Sequence, residues 1–238
     1  MIRFLRRHRQ HLLLARKFRN YVLYAVGEVL LVVIGILIAL QINTWNEERK
    51  TVREFRNILS IIRQDLAQDT AEMAAIIRIY NDRKPIYRRV LTDSATEQDY
   101  RSGAYATLIM NYASVVVDTR GYTLLRDFKG TNTSEYDSLE SDLVTFYSYM
   151  VDRLEEDRTK VTNDYLKNVE YWKEHQALFT NVLTRGELSG ENLNYYYSDD
   201  YRSRVAFHHS LVYNNYLPRL LSFNELAVEL LQAIDEQL

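Results

Sequence analysis

Residues 52–80, VREFRNILSIIRQDLAQDTAEMAAIIRIY, place Phe55, Leu59, Ile62, Leu66, Asp69, Met73, Ile76 and Tyr80 at alternating steps of four and three. Only Asp69 is polar. That period is the mark of a helix with one buried face, and Ile58, Ile61 and Ile77 widen the stripe beyond a two-stranded seam, so a helical bundle is expected. Seven glycines and two prolines in 238 residues leave few sharp turns, which also favours long helices over many short strands.

Towards the amino end, no glycine or proline falls between Gly35 and Pro85, so the helix is expected to continue unbroken, as a stalk, from an upstream apolar segment. That segment, Tyr21 to Ile42, has 22 residues and one ionisable group, Glu28. At 1.5 Å per residue it spans roughly 33 Å, enough for a bilayer core of about 30 Å. Tyr21 and Tyr24 at one end and Trp45 at the other stand where interfacial aromatics belong. A cleaved signal peptide would have a shorter apolar run and a small-residue cleavage pattern.

Charge gives the direction. Residues 1–20 carry Arg3, Arg6, Arg7, Arg9, Arg16, Lys17 and Arg19 with no acid, whereas the chain from Asn46 onward carries 23 bases and 31 acids, a net charge of −8. The basic end is expected in the cytoplasm and the acidic domain outside the cytoplasmic membrane, in a periplasm where there is one. An acidic domain also argues against nucleic acid as a partner. The arm interleaves Ile2, Leu5, Leu12, Ala15 and Phe18 with its bases, a pattern for a basic amphipathic helix whose seven cations contact anionic membrane lipids. The expected organisation is therefore an arm over 1–20, a transmembrane helix over 21–45 and an extracytoplasmic bundle over 46–238.

Within the membrane segment, Glu28, Leu31, Gly35, Ile38 and Ile42 share one helix face, and Gly35 and Ala39 form a small-xxx-small pair. Small pairs let helix backbones approach closely in lipid, so this face is read as the contact for a homo-oligomer or a larger membrane-protein complex. Glu28 lies about 6 Å below the Tyr24 level, shallow enough to reach water by snorkelling; a proton-carrying role would require a partner with several membrane helices.

Beyond the first stripe, Leu91–Ala95 has loop character and Thr96-Glu-Gln-Asp99 is a capping box expected to open a helix to about Ala113. Ser114–Thr119 is expected to be irregular. Ser134-Glu-Tyr-Asp137 is a second capping box, followed by a stripe through Leu139, Leu143, Phe146, Met150, Leu154, Val161, Tyr165, Trp172 and Phe179, with a break expected at Glu155–Lys160. Gly186–Ser198 reads as the main loop. Asp199–Gln237 reads as the last helix, kinked at Pro218, its stripe running through Val205, His209, Val212, Tyr216, Leu220, Phe223, Ala227, Leu230 and Ile234. The fold class is all-α: one N-terminal transmembrane helix continuing into an antiparallel helical bundle.

No chemistry announces itself. There is no cysteine, which removes disulfides, thiol catalysis and cysteine-ligated metals. His208 and His209 are adjacent, hence about 100° apart on a helix, and cannot share a metal as i, i+4 ligands do. His209, on the apolar stripe, and His175, between Trp172 and Phe179, read as hydrogen-bonded core histidines. No Glu-x-x-His pair, nucleophile elbow or phosphate loop occurs. Asp199, Asp200 and Glu191 read as a solvated loop. No catalytic residue, cofactor or metal is expected. Among 19 tyrosines, Tyr195, Tyr196, Tyr197, Tyr201, Tyr213 and Tyr216 read first as half-buried core positions and second as a partner or ligand surface.

Gly27–Asn46, GEVLLVVIGILIALQINTWN, preceded by Met1-Ile-Arg-Phe-Leu-Arg-Arg7, resembles the amino-terminal signature of a large family of uncharacterised bacterial single-pass membrane proteins. The resemblance covers about fifty residues at the amino end. In that family a helical domain of unknown function follows, often with a Tyr-x-x-Leu and a nearby glycine; Tyr122-Thr-Leu-Leu125 and Gly130 resemble these. The resemblance implies an envelope location and no assigned catalytic residue. The expected function is a non-enzymatic, membrane-anchored scaffold or accessory subunit. A ligand-sensing bundle that signals through a partner and an ion-coupled accessory subunit using Glu28 are the alternatives.

Overall fold

The computed structural model describes residues 18–110, 112–130, 137–175, 178–184 and 190–238. The chain is all-α, with no strand among the described residues. Its contacts divide it at the Glu54–Phe55 step into two units. Helix α1 is helical in one run over Phe18–Leu91, as the lack of breakers between Gly35 and Pro85 predicts. In the first unit, the large hydrophobic side chains from Val22 to Ile42 are exposed, with Glu28 and Gln41 exposed among them.

In the second unit every member of the α1 stripe is buried, from Phe55 through Asp69 to Tyr80. Against it pack α3 (Arg120–Asp127), α4 (Asp137–Phe146), a π-helical turn (Tyr147–Val151), α5 (Asp152–His175), α8 (Asp199–Leu211), a second π turn (Val212–Tyr216) and α9 (Leu217–Asp235); α2 (Glu97–Arg101), α6 (Leu178–Thr184) and α7 (Gly190–Tyr196) are short. The buried side chains form two clusters. One gathers Phe55–Tyr80 of α1, the 139–161 stripe and Val212–Ile234; the other gathers Tyr87, Val90, Tyr100, Trp172, Tyr196, Tyr201 and Val205.

Several boundaries differ from expectation. The Thr96 capping box forms, its hydroxyl accepting from Asp99 N–H while Asp99 accepts from Thr96 N–H, but α2 ends at Arg101 rather than near Ala113. Gly103 turns the chain there at φ +83°, a left-handed conformation that glycine adopts without strain. Residues 114–119 are irregular, as expected, and 112–113, expected to close the helix, are irregular with them. No break occurs at Glu155–Lys160: Glu155–Arg158 and Glu156–Lys160 pairs line that stretch of α5. The irregularity falls earlier, in the π turn Tyr147–Val151. The loop expected at 186–198 contains α7, with 185–189 outside the described residues. Pro218 sits at the start of α9 directly after the π turn Val212–Tyr216. An extra residue in the preceding turn makes room for a ring that has no N–H to donate. The second capping box, Ser134–Asp137, lies outside the described residues apart from the start of α4.

The irregular stretch poses an accounting question, because a buried chain outside helices must still satisfy its backbone polar groups. Tyrosines answer it. Tyr80 Oη donates to the Ala113 carbonyl at 2.7 Å and accepts from Ala113 N–H at 3.0 Å. Tyr216 Oη accepts from Val115 N–H at 3.3 Å, Tyr87 Oη donates to the Leu108 carbonyl at 3.0 Å, and Tyr201 Oη donates to the Tyr105 carbonyl. Four tyrosines thus fasten backbone between residues 105 and 115 to the helices.

Candidate functional site

The apolar helix is the first candidate. The helix from Tyr21 onward contains an 18-residue window of mean hydropathy 2.7, none of it buried, long and apolar enough to cross a membrane. Glu28, Leu31, Gly35, Ile38, Ala39 and Ile42 are all exposed along it. A Cβ placed on Gly35 meets nothing within 4 Å, so no packing among the described residues requires that glycine. The cationic arm, Arg3, Arg6, Arg7, Arg9, Arg16 and Lys17, lies outside the described residues, and Arg19 lies in the backbone of α1.

The tyrosine group divides by position. Tyr196 and Tyr201 are buried, Tyr195 and Tyr213 half-buried, and Tyr197 is 42% exposed. Tyr213 Oη donates to the Tyr80 carbonyl at 2.7 Å. Trp172 Nε1 donates to Tyr195 Oη at 2.8 Å, which donates to Asp200 Oδ2 at 2.9 Å. Arg204 donates to the same oxygen at 2.9 Å, and its guanidinium lies 3.5 Å from the Tyr171 ring centroid. Asp200 thus joins a hydrogen-bonded network although its side chain is 42% exposed, and Asp199, also exposed, lies beside Arg202 at 3.3 Å. The side chains of Glu191 and His175 lie outside the described ones.

Of the two adjacent histidines, the buried one is His208, not His209. His208 has no exposed surface and its Nδ1 lies 2.7 Å from Asp164 Oδ2. Asn168 Nδ2 donates to the same oxygen at 3.1 Å, and Arg204 donates to Asn168 Oδ1 at 3.1 Å. His209 is half-buried, packed on Tyr213, and its pKa is lowered, chiefly by desolvation. The phase slip has a plain cause: the buried stripe begins at Tyr201, whose steps of four, three and four reach Val205, His208 and Val212. On α5 the same spacing from Leu154 passes through Asp157, Val161, Asp164, Asn168 and Trp172, all buried. Three polar residues at core register were the sequence signal for this network. Among the described residues, no group of three or more histidines and carboxylates is placed to hold a metal ion.

A second polar cluster fastens α3 to α1. Asp65 and Asp69, one helical turn apart, are both buried. Asp65 accepts from Gly121 N–H at 2.8 Å and from Arg120 Nη2 at 2.6 Å, while Asp69 accepts from Asp118 N–H at 3.2 and 3.3 Å. Burial raises the Asp69 carboxyl to about 7; the Asp118 N–H works against that, and the charges of Asp118, Glu72 and Asp65 add to it. The Tyr147 hydroxyl, buried without a partner among the described residues, is likewise raised by burial, with Asp69 the largest of the charges acting on it.

Because the folded-state pKa of Asp69 lies above its unfolded value, the folded protein binds that proton more tightly. The contribution is full below the unfolded pKa and is lost as pH rises through about 7. A three-unit separation corresponds to at most about 4 kcal/mol. Urea midpoints of the wild type are expected to fall between pH 5 and pH 8, and Asp69→Asn, which keeps an acceptor for Asp118 N–H, is expected to flatten that slope. Equal slopes for the two proteins would refute the assignment.

Residues 28–99 match the model of a family of unknown function, DUF6090. The match fits the resemblance to an uncharacterised family, and it runs past the first fifty residues, through the α1 seam to the Thr96–Asp99 cap. Asp118–Gly121, Asp164 and His208 lie outside it. No curated protein and no solved structure matches the chain.

Proposed function

We propose that this chain is a non-enzymatic scaffold or accessory subunit of a bacterial envelope complex. Tyr21–Ile42 crosses the cytoplasmic membrane once, with the amino terminus in the cytoplasm and the helical domain on the other side. The observation that carries the reading is the apolar helix of α1, exposed along its whole hydropathic window. Apolar surface of that extent marks a membrane or protein contact. The +7 arm before it and the −8 charge after it support the orientation. The way the second unit uses its buried polar groups supports a structural role: Asp65, Asp69, Tyr80, Tyr87 and Tyr216 hold backbone in place.

The Glu28/Gly35/Ala39 face then makes the oligomer or partner contact in lipid. Native mass spectrometry or crosslinking of the intact protein in lipid nanodiscs is expected to show a defined oligomer or a stable complex. Gly35→Leu fills the space a neighbouring backbone would occupy and is expected to weaken association by about tenfold or more, roughly 1.4 kcal/mol. A wild-type monomer, or an assembly indifferent to Gly35→Leu, would contradict the proposal.

A further inference from the structure

The second unit has a groove of about 490 Å³ whose lining is mostly apolar. One wall is Asp142, Thr145, Phe146, Tyr149 and Met150, at steps of three, one, three and one along α4 and its π turn. The other is Leu226, Glu229, Leu230 and Ala233 of α9, at steps of three, one and three. Both walls are thus helix faces about two turns long, roughly 11 Å. Phe146 and Met150 are buried beneath, whereas Tyr149 is 55% exposed and Leu226 also faces solvent. The π turn, which adds a residue to one wall, lies along the groove; such turns recur at functional sites.

Charge selects the occupant. Asp142 and Glu229, one on each wall, are exposed carboxylates with no ion-pair or hydrogen-bond partner among the described residues, unlike the paired Glu155 and Glu156 nearby in sequence. A trough between two helix faces, apolar at its base with a carboxylate on either wall, is complementary to an amphipathic helix that carries lysines or arginines beside its apolar stripe. We propose that this groove docks a cationic amphipathic helical segment of a partner protein, apolar side chains over Met150 and Leu230 and flanking cations at Asp142 and Glu229. This deepens the accessory-subunit reading by naming the kind of partner segment; Gly35→Leu leaves the groove intact, so the two ideas fail separately.

The test uses full-length protein in zwitterionic nanodiscs and a fluorescein-labelled helical peptide of about four turns, with leucines at i, i+3, i+4 and i+7 and flanking lysines. Anisotropy above that with empty nanodiscs is expected, weakened about tenfold or more by Asp142→Lys/Glu229→Lys and, independently, by Leu226→Asp at an already exposed site. The charge-reversed variant is expected to bind the matching glutamate-flanked peptide instead. The proposal is overturned by no binding to wild type, by equal signal on empty nanodiscs, or by equal affinity for the two peptides. It is also overturned by a wild-type self-association that Leu226→Asp dissolves and the peptide does not compete with.

Discussion

Replacing Gly121 with alanine is expected to lower stability by about 2–4 kcal/mol, although alanine is the better helix former by roughly 1 kcal/mol. A Cβ at this position would lie 2.6 Å from Ile62 Cγ1, 2.8 Å from Ile62 N and 2.9 Å from Ile62 Cα. Two of those three atoms are backbone of α1, so no rotamer change relieves the overlap, and α3 must move away. The movement breaks the 2.8 Å bond from Gly121 N–H to Asp65, leaving a buried carboxylate short of a donor, which costs about 1–3 kcal/mol. For a domain of this size the melting temperature should fall by roughly 5–15 °C. Gly190→Ala, where a Cβ meets nothing within 4 Å among the described residues, should leave it nearly unchanged. Equal melting temperatures for the two variants would show that α3 does not need this close approach.

Trp172→Ala is expected to cost about 3–5 kcal/mol. The ring has no exposed surface and touches Tyr195, Tyr196 and Tyr201, with centroid distances of 5.6, 6.1 and 6.2 Å. It is the largest side chain of its cluster, and its indole N–H starts the chain of bonds through Tyr195 to Asp200. Trp172→Phe keeps most of the ring area and removes only the donor, so about 1–2 kcal/mol is expected. Denaturant unfolding of the three proteins separates the packing contribution from the hydrogen bond. A phenylalanine variant as unstable as the alanine one would place the energy in the hydrogen-bond chain instead.

The helices were legible in the sequence because burial follows periodicity. The stripe from Phe55 to Tyr80 is buried at every position, and Leu139, Leu143 and Phe146 follow suit. Legibility fails where a residue acts through a distant partner. Nothing near Gly121 in sequence announces that its Cα must lie on Ile62, and nothing near Asp65 announces the N–H it receives from fifty-six positions away. The π turns are likewise hidden, since each shifts phase by about one residue while the apolar pattern remains plausible on either side. Asp164, Asn168 and His208 were readable in principle. They stand at core spacing, but the expected stripe passes from Val161 through Tyr165 to Trp172 and takes His209 in place of His208.

Three elements run through both buried clusters: α1 passes from Tyr80 in one to Tyr87 in the other, α5 from Val161 to Trp172, and the last helical run from Tyr201 and Val205 to Val212 and beyond. The same continuous rods therefore support the backbone of both clusters. Local melting of either cluster would have to fray helices whose far halves are still held, so the unit is expected to open to hydrogen exchange as one cooperative body rather than in pieces.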